Sequence, residues 1–251
     1  MLFIRLLSKS ISLCLLCISF NAYGIVVGTY TAPPFSMNED GEDIGLATEV
    51  IRDLLAKAGI SDYSIVNYPL ARGLVELKNG RIDIFYPYTP SVANGQNNFT
   101  LIGPISKNRV ALFVVKDYQS EVSFAAMKNL VIGAERGGLG DLFLTKNSMR
   151  IELATQKLSC LKMVVAQRTA ACAVGTLPGM YTAAINGLYD KLKYVETNEV
   201  GDMYLALGPS LPLEMVAAIK RTYTLLKKQN YFEKKQKDYE KKFAVFIKSL
   251  A

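Results

Sequence analysis

Short apolar segments alternate with amphipathic ones along the first third of the chain. Segments 25–30, 64–68 and 82–86 are rich in β-branched or aromatic residues, which predicts strands. Segments 46–60 and 69–80 instead place apolar residues at helical spacing, and each ends near a glycine. Strands that alternate with helices in this way predict right-handed βαβ units on a mainly parallel sheet.

A second series of the same elements follows a loop rich in Asn, Gly, Ser and Pro. The apolar run 109–116 predicts a strand, and the strand 130–134 leads into the glycine-rich turn ERGGLGD, with a helix beginning near Asp141. The remaining predicted helices are 157–167, 178–188, 213–230 and 231–250, and the remaining predicted strands are 170–174, 193–195 and 203–207. The repeated series indicates an α/β protein built from two units of similar plan.

The first 24 residues have the pattern of a secretory signal peptide. Arg5 and Lys9 form a positive n-region, and residues 11–20 form an apolar core too short for a membrane span, which needs roughly 20 residues. Ala22 and Gly24 are the small residues of a cleavage site. We therefore expect an exported, periplasmic protein that begins near Ile25, with an uncleaved anchor as the alternative.

Composition excludes several kinds of chemistry. The 251-residue chain has no histidine, which removes Ser-His and Cys-His nucleophile pairs and makes a zinc site improbable. The formal net charge is +7, and much of the excess lies between residues 220 and 248. This basic stretch is interpreted as the solvated face of terminal helices, with an anion-attracting patch as the alternative. No nucleic acid partner, metal or cofactor is expected.

The four cysteines divide into two pairs. Cys14 and Cys17 lie in the predicted signal peptide, which leaves Cys160 and Cys172 in an oxidising compartment. The eleven residues between them can fold back as helix, turn and strand, bringing the two Cα atoms within about 7 Å. A disulfide between Cys160 and Cys172 is predicted, and two buried thiols are the alternative.

Taken in order, these segments resemble the periplasmic solute-binding proteins of ABC importers. The resemblance is to the extracellular family that includes polar amino-acid receptors. It rests on YTAPPFSMNEDGEDIGLATEVIRDLLAKAGI, YPLARGLVELKNGRIDIFYPYTPSVANGQNNF, PISKNRVALFVVKD and LEMVAAIKRTYTLLKKQNYFEKKQKDYEKK. It implies a two-lobe, type II periplasmic-binding-protein fold. Lobe one would be 25–112 plus 206–251, lobe two 113–205, and the hinge two crossover strands at 109–116 and 203–207.

The same resemblance implies a function. Such a protein is a monomeric receptor, not an enzyme, that traps a small polar solute in an interlobe cleft by hinge closure and delivers it to an ABC permease. Two alternatives stay open. One is a sensory or adaptor protein that docks on a membrane signalling protein, and the other is a dehydratase-like enzyme on the same fold.

Two departures from the family pattern bear on the ligand. Receptors for α-amino acids usually carry an arginine about a dozen residues after the position of Asp83, where this chain has Ala93 or Asn94. The lobe-two turn, which usually carries hydroxyl side chains, is Gly137-Gly138-Leu139. We therefore expect a polar ligand that is partly apolar or aromatic and can carry an anionic group, rather than a simple α-amino acid.

Nine residues are candidates for ligand contact. Aromatic or hydroxyl contacts are expected near the ends of the first and third strands, and anion contacts are expected from two arginines and a glycine turn. For each residue the alternative is an ordinary structural role: loop packing, a surface ion pair or a tight turn. The candidates are Tyr30, Phe35, Arg72, Tyr86, Tyr88, Thr89, Arg136, Gly137 and Gly138.

Overall fold

A computed structural model describes residues 24–90 and 99–250 of the chain. The predicted signal peptide, up to residue 23, lies outside the described residues, and so do Ala93 and Asn94. Within the described residues, no helix is long and apolar enough to cross a membrane.

Ten strands are present in the described part of the chain, and eight of them form one mixed sheet in the order β4-β1-β5-β10-β6-β9-β7-β8. Strands β2 and β3 pair as a separate hairpin that the sequence did not predict. The strands are β1 Ile25–Thr29, β2 Met37–Glu39, β3 Glu42–Ile44, β4 Tyr63–Asn67, β5 Ile84–Tyr88, β6 Thr100–Val115, β7 Val131–Glu135, β8 Arg150–Ala154, β9 Ala171–Gly175 and β10 Leu192–Leu207.

Helices cover both faces of this sheet, as predicted for an α/β fold. The short helix α3 and strand β8 are further elements that the sequence patterns did not reveal. The helices are α1 Leu46–Lys57, α2 Leu70–Lys78, α3 Phe124–Met127, α4 Leu139–Lys146, α5 Lys157–Val165, α6 Thr176–Ile185, α7 Leu213–Lys228 and α8 Tyr231–Leu250, with a 3-10 turn at Tyr189–Lys191.

Strands β4, β1 and β5 form the first half of the sheet, and they are parallel as expected from βαβ units. Helix α1 buries Leu46, Val50 and Leu54 against them, which are the positions that the helical spacing marked as apolar. Strand β5 begins and ends two residues later than predicted, so Tyr88 lies inside the strand rather than in the loop after it.

Strands β6 and β10 join the two halves as a long antiparallel ribbon. Each has sixteen residues, and their pairing runs from Leu192 opposite Val115 to Leu207 opposite Thr100, with two register shifts. The prediction of two separate short strands at 193–195 and 203–207 is wrong, because pairing with β6 extends through the polar residues between them. The predicted boundaries between the lobes stay a prediction.

Strands β9, β7 and β8 form the second half, again parallel to one another. The predicted disulfide is confirmed here: Cys160 on α5 is bonded to Cys172 on β9, and their Cα atoms are 5.8 Å apart. The bond holds helix α5 against β9, the strand of this half that pairs with the ribbon.

Helix α8 packs against elements of both halves. The Phe243 ring stacks on Tyr181 of α6, with centroids 6.3 Å apart. The Gln236 side chain forms two hydrogen bonds to the backbone of Lys107 on β6, at 2.9 and 3.0 Å. The Tyr239 hydroxyl donates to the Pro34 carbonyl at 2.9 Å. One helix thus contacts the ribbon and both units that it joins.

Candidate functional site

A cavity of about 280 Å³ lies between the two halves of the sheet. It is bordered by the loops that follow the carboxyl ends of β1, β5, β7 and β9, which is where open α/β sheets bind ligands. Its lining consists of Tyr30, Thr31, Ala32, Pro33, Phe35, Leu70, Thr89, Asn108, Glu135, Arg136, Gly137, Gly138, Leu139, Gly140, Lys157, Ala173, Val174, Gly175, Pro178, Gly201 and Met203.

The cavity wall from the first half of the sheet is an aromatic loop that packs on strand β5 and helix α1. The Tyr30 ring stacks on Phe85 of β5, with centroids 6.0 Å apart and ring planes 6° from parallel. The loop after Tyr30 closes on itself through the Ala32 N–H, which donates to the Ser36 carbonyl at 2.7 Å. Because α1 also donates backbone N–H groups to the Pro34 and Phe35 carbonyls, this wall is fixed in position.

Tyr30 is a hydrogen-bond donor in this site at neutral pH. Burial, and then the negative charge of Glu135, raise the pKa of Tyr30 to about 12. The phenol therefore keeps its proton throughout the physiological range and presents an apolar ring with a polar tip.

The second-half wall is the turn between β7 and α4. Its N–H groups are partly used within the turn: Gly137 donates to Asp141 Oδ2 at 2.8 Å, and Gly138 donates to the Glu135 carbonyl at 2.9 Å. The next residues, Leu139 and Gly140, begin α4 and line the cavity. The first N–H groups of a helix have no acceptor within the helix, and they favour anions.

Gly140 allows α4 to begin directly on strand β9. A Cβ atom at this position would overlap the carbonyl oxygen of Ala173 and would lie 2.6 Å from its carbonyl carbon, well inside van der Waals contact. Both residues line the cavity. The absence of a side chain therefore sets how close the helix start is to the cavity floor.

The charged side chains of the lining leave a net positive charge. The carboxylate of Glu135 is already paired with Lys157 at 2.8 Å. Arg136 is exposed, and within residues 24–90 and 99–250 no carboxylate lies within 4.0 Å of it. Arg136 is thus available to pair with an anion.

Asn108 contributes a buried acceptor from the ribbon. Its Oδ1 is buried without a hydrogen-bond partner among the described residues. Its amide packs on Gly175, where a Cβ would come within 2.6 Å of Asn108 Cγ. Buried acceptors of this kind are usually paired, so Asn108 offers a contact to a donor group in the cavity.

Six of the nine predicted residues lie together in the lining: Tyr30, Phe35, Thr89, Arg136, Gly137 and Gly138. The other three lie elsewhere. Arg72 is 66% exposed and forms an ion pair with the buried Glu76, one helical turn away. The Tyr86 hydroxyl donates to Thr48 Oγ1 at 3.1 Å in the core, and Tyr88 packs edge-on against Phe99. Their predicted ligand contacts stay predictions.

Several lining residues had no distinct signal in the sequence. Asn108 looked like the end of a loop, because the predicted strand began one residue later. Lys157 looked like an ordinary first residue of a helix. Only the pairing of β6 with β9 and β10 brings Asn108 to the cavity. In the part of the chain described, no three His, Cys, Asp or Glu side chains form a group that could hold a metal ion.

Comparison with known families decides the identity of the scaffold. The model of the bacterial extracellular solute-binding proteins, family 3, matches residues 25–251. The chain belongs to this family. No curated protein matches the chain.

Solved structures with the same fold include binding domains of different systems. A histidine kinase sensor domain with similarity to periplasmic binding proteins aligns at TM-score 0.68 and 20% identity, over 86% of this chain and 96% of that chain. The second substrate binding domain of a putative amino acid ABC transporter from Streptococcus pneumoniae Canada MDR_19A aligns at 0.65 and 17%, over 86% and 99%. An ancestral amino acid-binding protein, described as a precursor of cyclohexadienyl dehydratase, aligns at 0.64 and 17%, over 86% and 94%. These matches confirm the periplasmic-binding-protein fold.

Proposed function

We propose that this family member is an exported, periplasmic receptor that binds a small anionic solute in the cavity between its halves and delivers it to an ABC permease. The observation that carries the proposal is the position of Arg136. It lies without an ion-pair partner among the described residues, beside the start of α4. Glu135, the one carboxylate of the described cavity lining, is already paired with Lys157, and Asp141 of the same turn accepts from the Gly137 N–H.

The same arrangement favours an anion over an α-amino acid. An ammonium group on the ligand would need a carboxylate of its own, and Glu135 is committed to Lys157 at 2.8 Å. The carboxylate of the ligand would bind Arg136 and the first N–H groups of α4. The apolar part would pack on Tyr30 and Phe35, and Asn108 would accept a hydrogen bond from a hydroxyl or amide group of the ligand.

Binding without catalysis is the simplest use of these residues. General acid–base catalysis needs a group that can exchange a proton near neutral pH. In the described lining the carboxylate is held in an ion pair, and the Tyr30 phenol has its pKa raised to about 12. The Tyr30 phenol is therefore not suited to proton transfer at neutral pH.

A sensory role is the second candidate. It is supported by the alignment with the histidine kinase sensor domain, which has the same fold as the transporter domain at a comparable TM-score. In both roles the ligand is bound in the same cavity, and the partner differs. Deletion of the gene should abolish uptake of the ligand if the protein serves a permease. It should leave uptake intact, and change gene expression, if the protein serves a sensor.

Thermal-shift screening of residues 25–251 tests the ligand class. The set should contain aliphatic and aromatic carboxylic acids, the corresponding amino acids, neutral amides and sugars. We expect carboxylic acids to raise the melting temperature. Arg136→Gln should weaken their binding at least tenfold, or about 1.4 kcal/mol.

Arg168→Gln is the matched control, since it removes an exposed arginine that forms no ion pair within the residues described and does not line the cavity. We expect it to leave affinity unchanged. If Arg168→Gln weakened binding while Arg136→Gln did not, the assignment of Arg136 would be wrong. Binding of sugars or cationic amino acids alone would contradict the anionic ligand class.

A further inference from the structure

The two C-terminal helices carry an unusual share of the positive charge of the chain. Helices α7 and α8 contain ten of its 29 Lys and Arg residues but four of its 22 Asp and Glu residues. Lys235 is half-buried and pairs with Glu49 and Asp53. The other nine are exposed: Lys220, Arg221, Lys227, Lys228, Lys234, Lys237, Lys241, Lys242 and Lys248.

Most of these nine exposed side chains have no carboxylate near enough to form an ion pair among the described residues. Among the described residues, Lys241 is the one member of the nine within 4.0 Å of a carboxylate, at 3.9 Å from Asp238. Helical lysines on a merely solvated face are commonly paired with acids three or four residues away. The excess charge here is instead presented to the surroundings.

Four of the lysines form one row on α8. Lys234, Lys237, Lys241 and Lys248 follow helical spacing on the side opposite the buried Phe232, Phe243 and Ile247. Fourteen residues separate the ends of the row, which corresponds to about 21 Å along the helix. Val245, 70% exposed, lies in the same row. We call these four lysines and Val245 the α8 row.

The turn between the helices extends the charge. Lys227 and Lys228 end α7, immediately before residues 229–230, and Lys234 lies in the first turn of α8. Leu225, 57% exposed, lies one helical turn before Lys228. Clusters of lysines on a helix surface are attracted to anionic lipid headgroups, and the attraction falls with salt.

We propose that the α8 row and the α7–α8 turn dock the protein on an anionic phospholipid surface. Each lysine near such a surface strengthens partitioning roughly fivefold at low salt. Val245, which lies in the α8 row, can enter the boundary between headgroups and acyl chains. Docking would keep the receptor beside its membrane partner, and it would not involve the cavity, because the row is on the outer face of α8.

Sedimentation with vesicles tests this directly. Residues 25–251 are mixed with vesicles of phosphatidylcholine alone, or of phosphatidylcholine with phosphatidylglycerol, at low and high salt. We expect sedimentation with the anionic vesicles at low salt, release at high salt, and none with the neutral vesicles. The variant Lys234→Gln/Lys237→Gln/Lys241→Gln/Lys248→Gln should partition at least tenfold more weakly.

A matched variant removes the same charge elsewhere. Lys78, Lys128, Lys162 and Lys191 are exposed and form no ion pair within the residues described. Their fourfold change to glutamine should weaken partitioning less than threefold, with circular dichroism confirming that both variants fold. Equal losses in the two variants would show a general charge effect and overturn the proposal. Absence of sedimentation with anionic vesicles would overturn it too, and would direct the search to an acidic protein partner. The ligand screen is independent of both outcomes.

Discussion

Replacement of Gly140 by alanine sets two effects of opposite sign against each other. Gly140 is a helical residue of α4, and alanine at an unconstrained helical position would stabilise the protein by about 1 kcal/mol. The structure opposes this gain. The new Cβ would lie 2.6 Å from the carbonyl carbon of Ala173, whereas ordinary carbon–carbon contact is about 3.5–4.0 Å.

The opposing group is backbone, so no flexible side chain can move away. The nearest atom to the new Cβ is the Ala173 carbonyl oxygen, which it would overlap, so helix α4 and strand β9 must separate by about 1.5 Å to restore contact. Overpacking of this kind costs about 1–3 kcal/mol, and a backbone contact belongs at the upper end. A net loss of about 2 kcal/mol remains after the helix propensity is subtracted, which lowers the melting temperature by about 4–8 °C for a chain of this size.

Thermal unfolding followed by far-ultraviolet circular dichroism measures this loss, and Thr145→Ala is the control. Thr145 is an exposed residue of the same helix whose hydroxyl donates to Asp141 Oδ1 at 3.3 Å. Its replacement loses this exposed hydrogen bond and gains helix propensity, so the free energy of unfolding should change by less than about 1 kcal/mol. A melting temperature for Gly140→Ala equal to or above the parent would refute the close approach of α4 to β9. It would also remove the basis for placing the helix start at the cavity.

Two further predictions concern stability. Changing Cys160 and Cys172 together to serine opens a loop with sequence separation 12. This change should lower the free energy of unfolding, measured by urea denaturation, by about 3 kcal/mol. A loss below about 1 kcal/mol would show that the bond adds little. Burial is the first cause that raises the pKa of Tyr30 and of Tyr223 to about 12, so the folded state holds protons that the unfolded state loses above about pH 10. The free energy of unfolding should therefore fall between about pH 10 and 12, and absorbance at 295 nm should show tyrosines that ionise only above about pH 10. A melting temperature that stays constant over that interval would contradict the raised tyrosine pKa values.

Local patterns were sufficient to predict most elements of the sheet. The spacing of Leu46, Val50 and Leu54 marks the face of α1 that is buried, and the β-branched run at 25–30 becomes β1. The ribbon was predicted only in part. The polar residues between 195 and 203 gave no strand signal, because their extended conformation is imposed by pairing with β6, which is distant in sequence.

The cavity was predicted best where a loop follows a strand end, and least where side-chain direction depends on tertiary partners. Tyr30 and Arg136 follow β1 and β7 directly, so fold class alone places them near the site. The partner of Arg72 depends on the buried Glu76, which also pairs with Arg81, and no local pattern shows this arrangement. Tyr88 was expected in a loop, but the two-residue shift of β5 places it within the sheet.

The ribbon has a consequence for how this protein could be re-engineered. Val115 pairs with Leu192, and the Lys116 N–H donates to the Lys191 carbonyl at 2.9 Å, so residues 116–191 leave and rejoin the rest of the chain at neighbouring points. Segments whose ends are adjacent tolerate exchange as units. This segment contains the whole glycine turn and α4, whereas the aromatic loop and the C-terminal helices lie outside it. A transplanted segment would therefore replace the cavity wall formed by the glycine turn while the aromatic wall and the C-terminal helices stayed as they are, so the two walls of the cavity can be inherited or exchanged independently of each other.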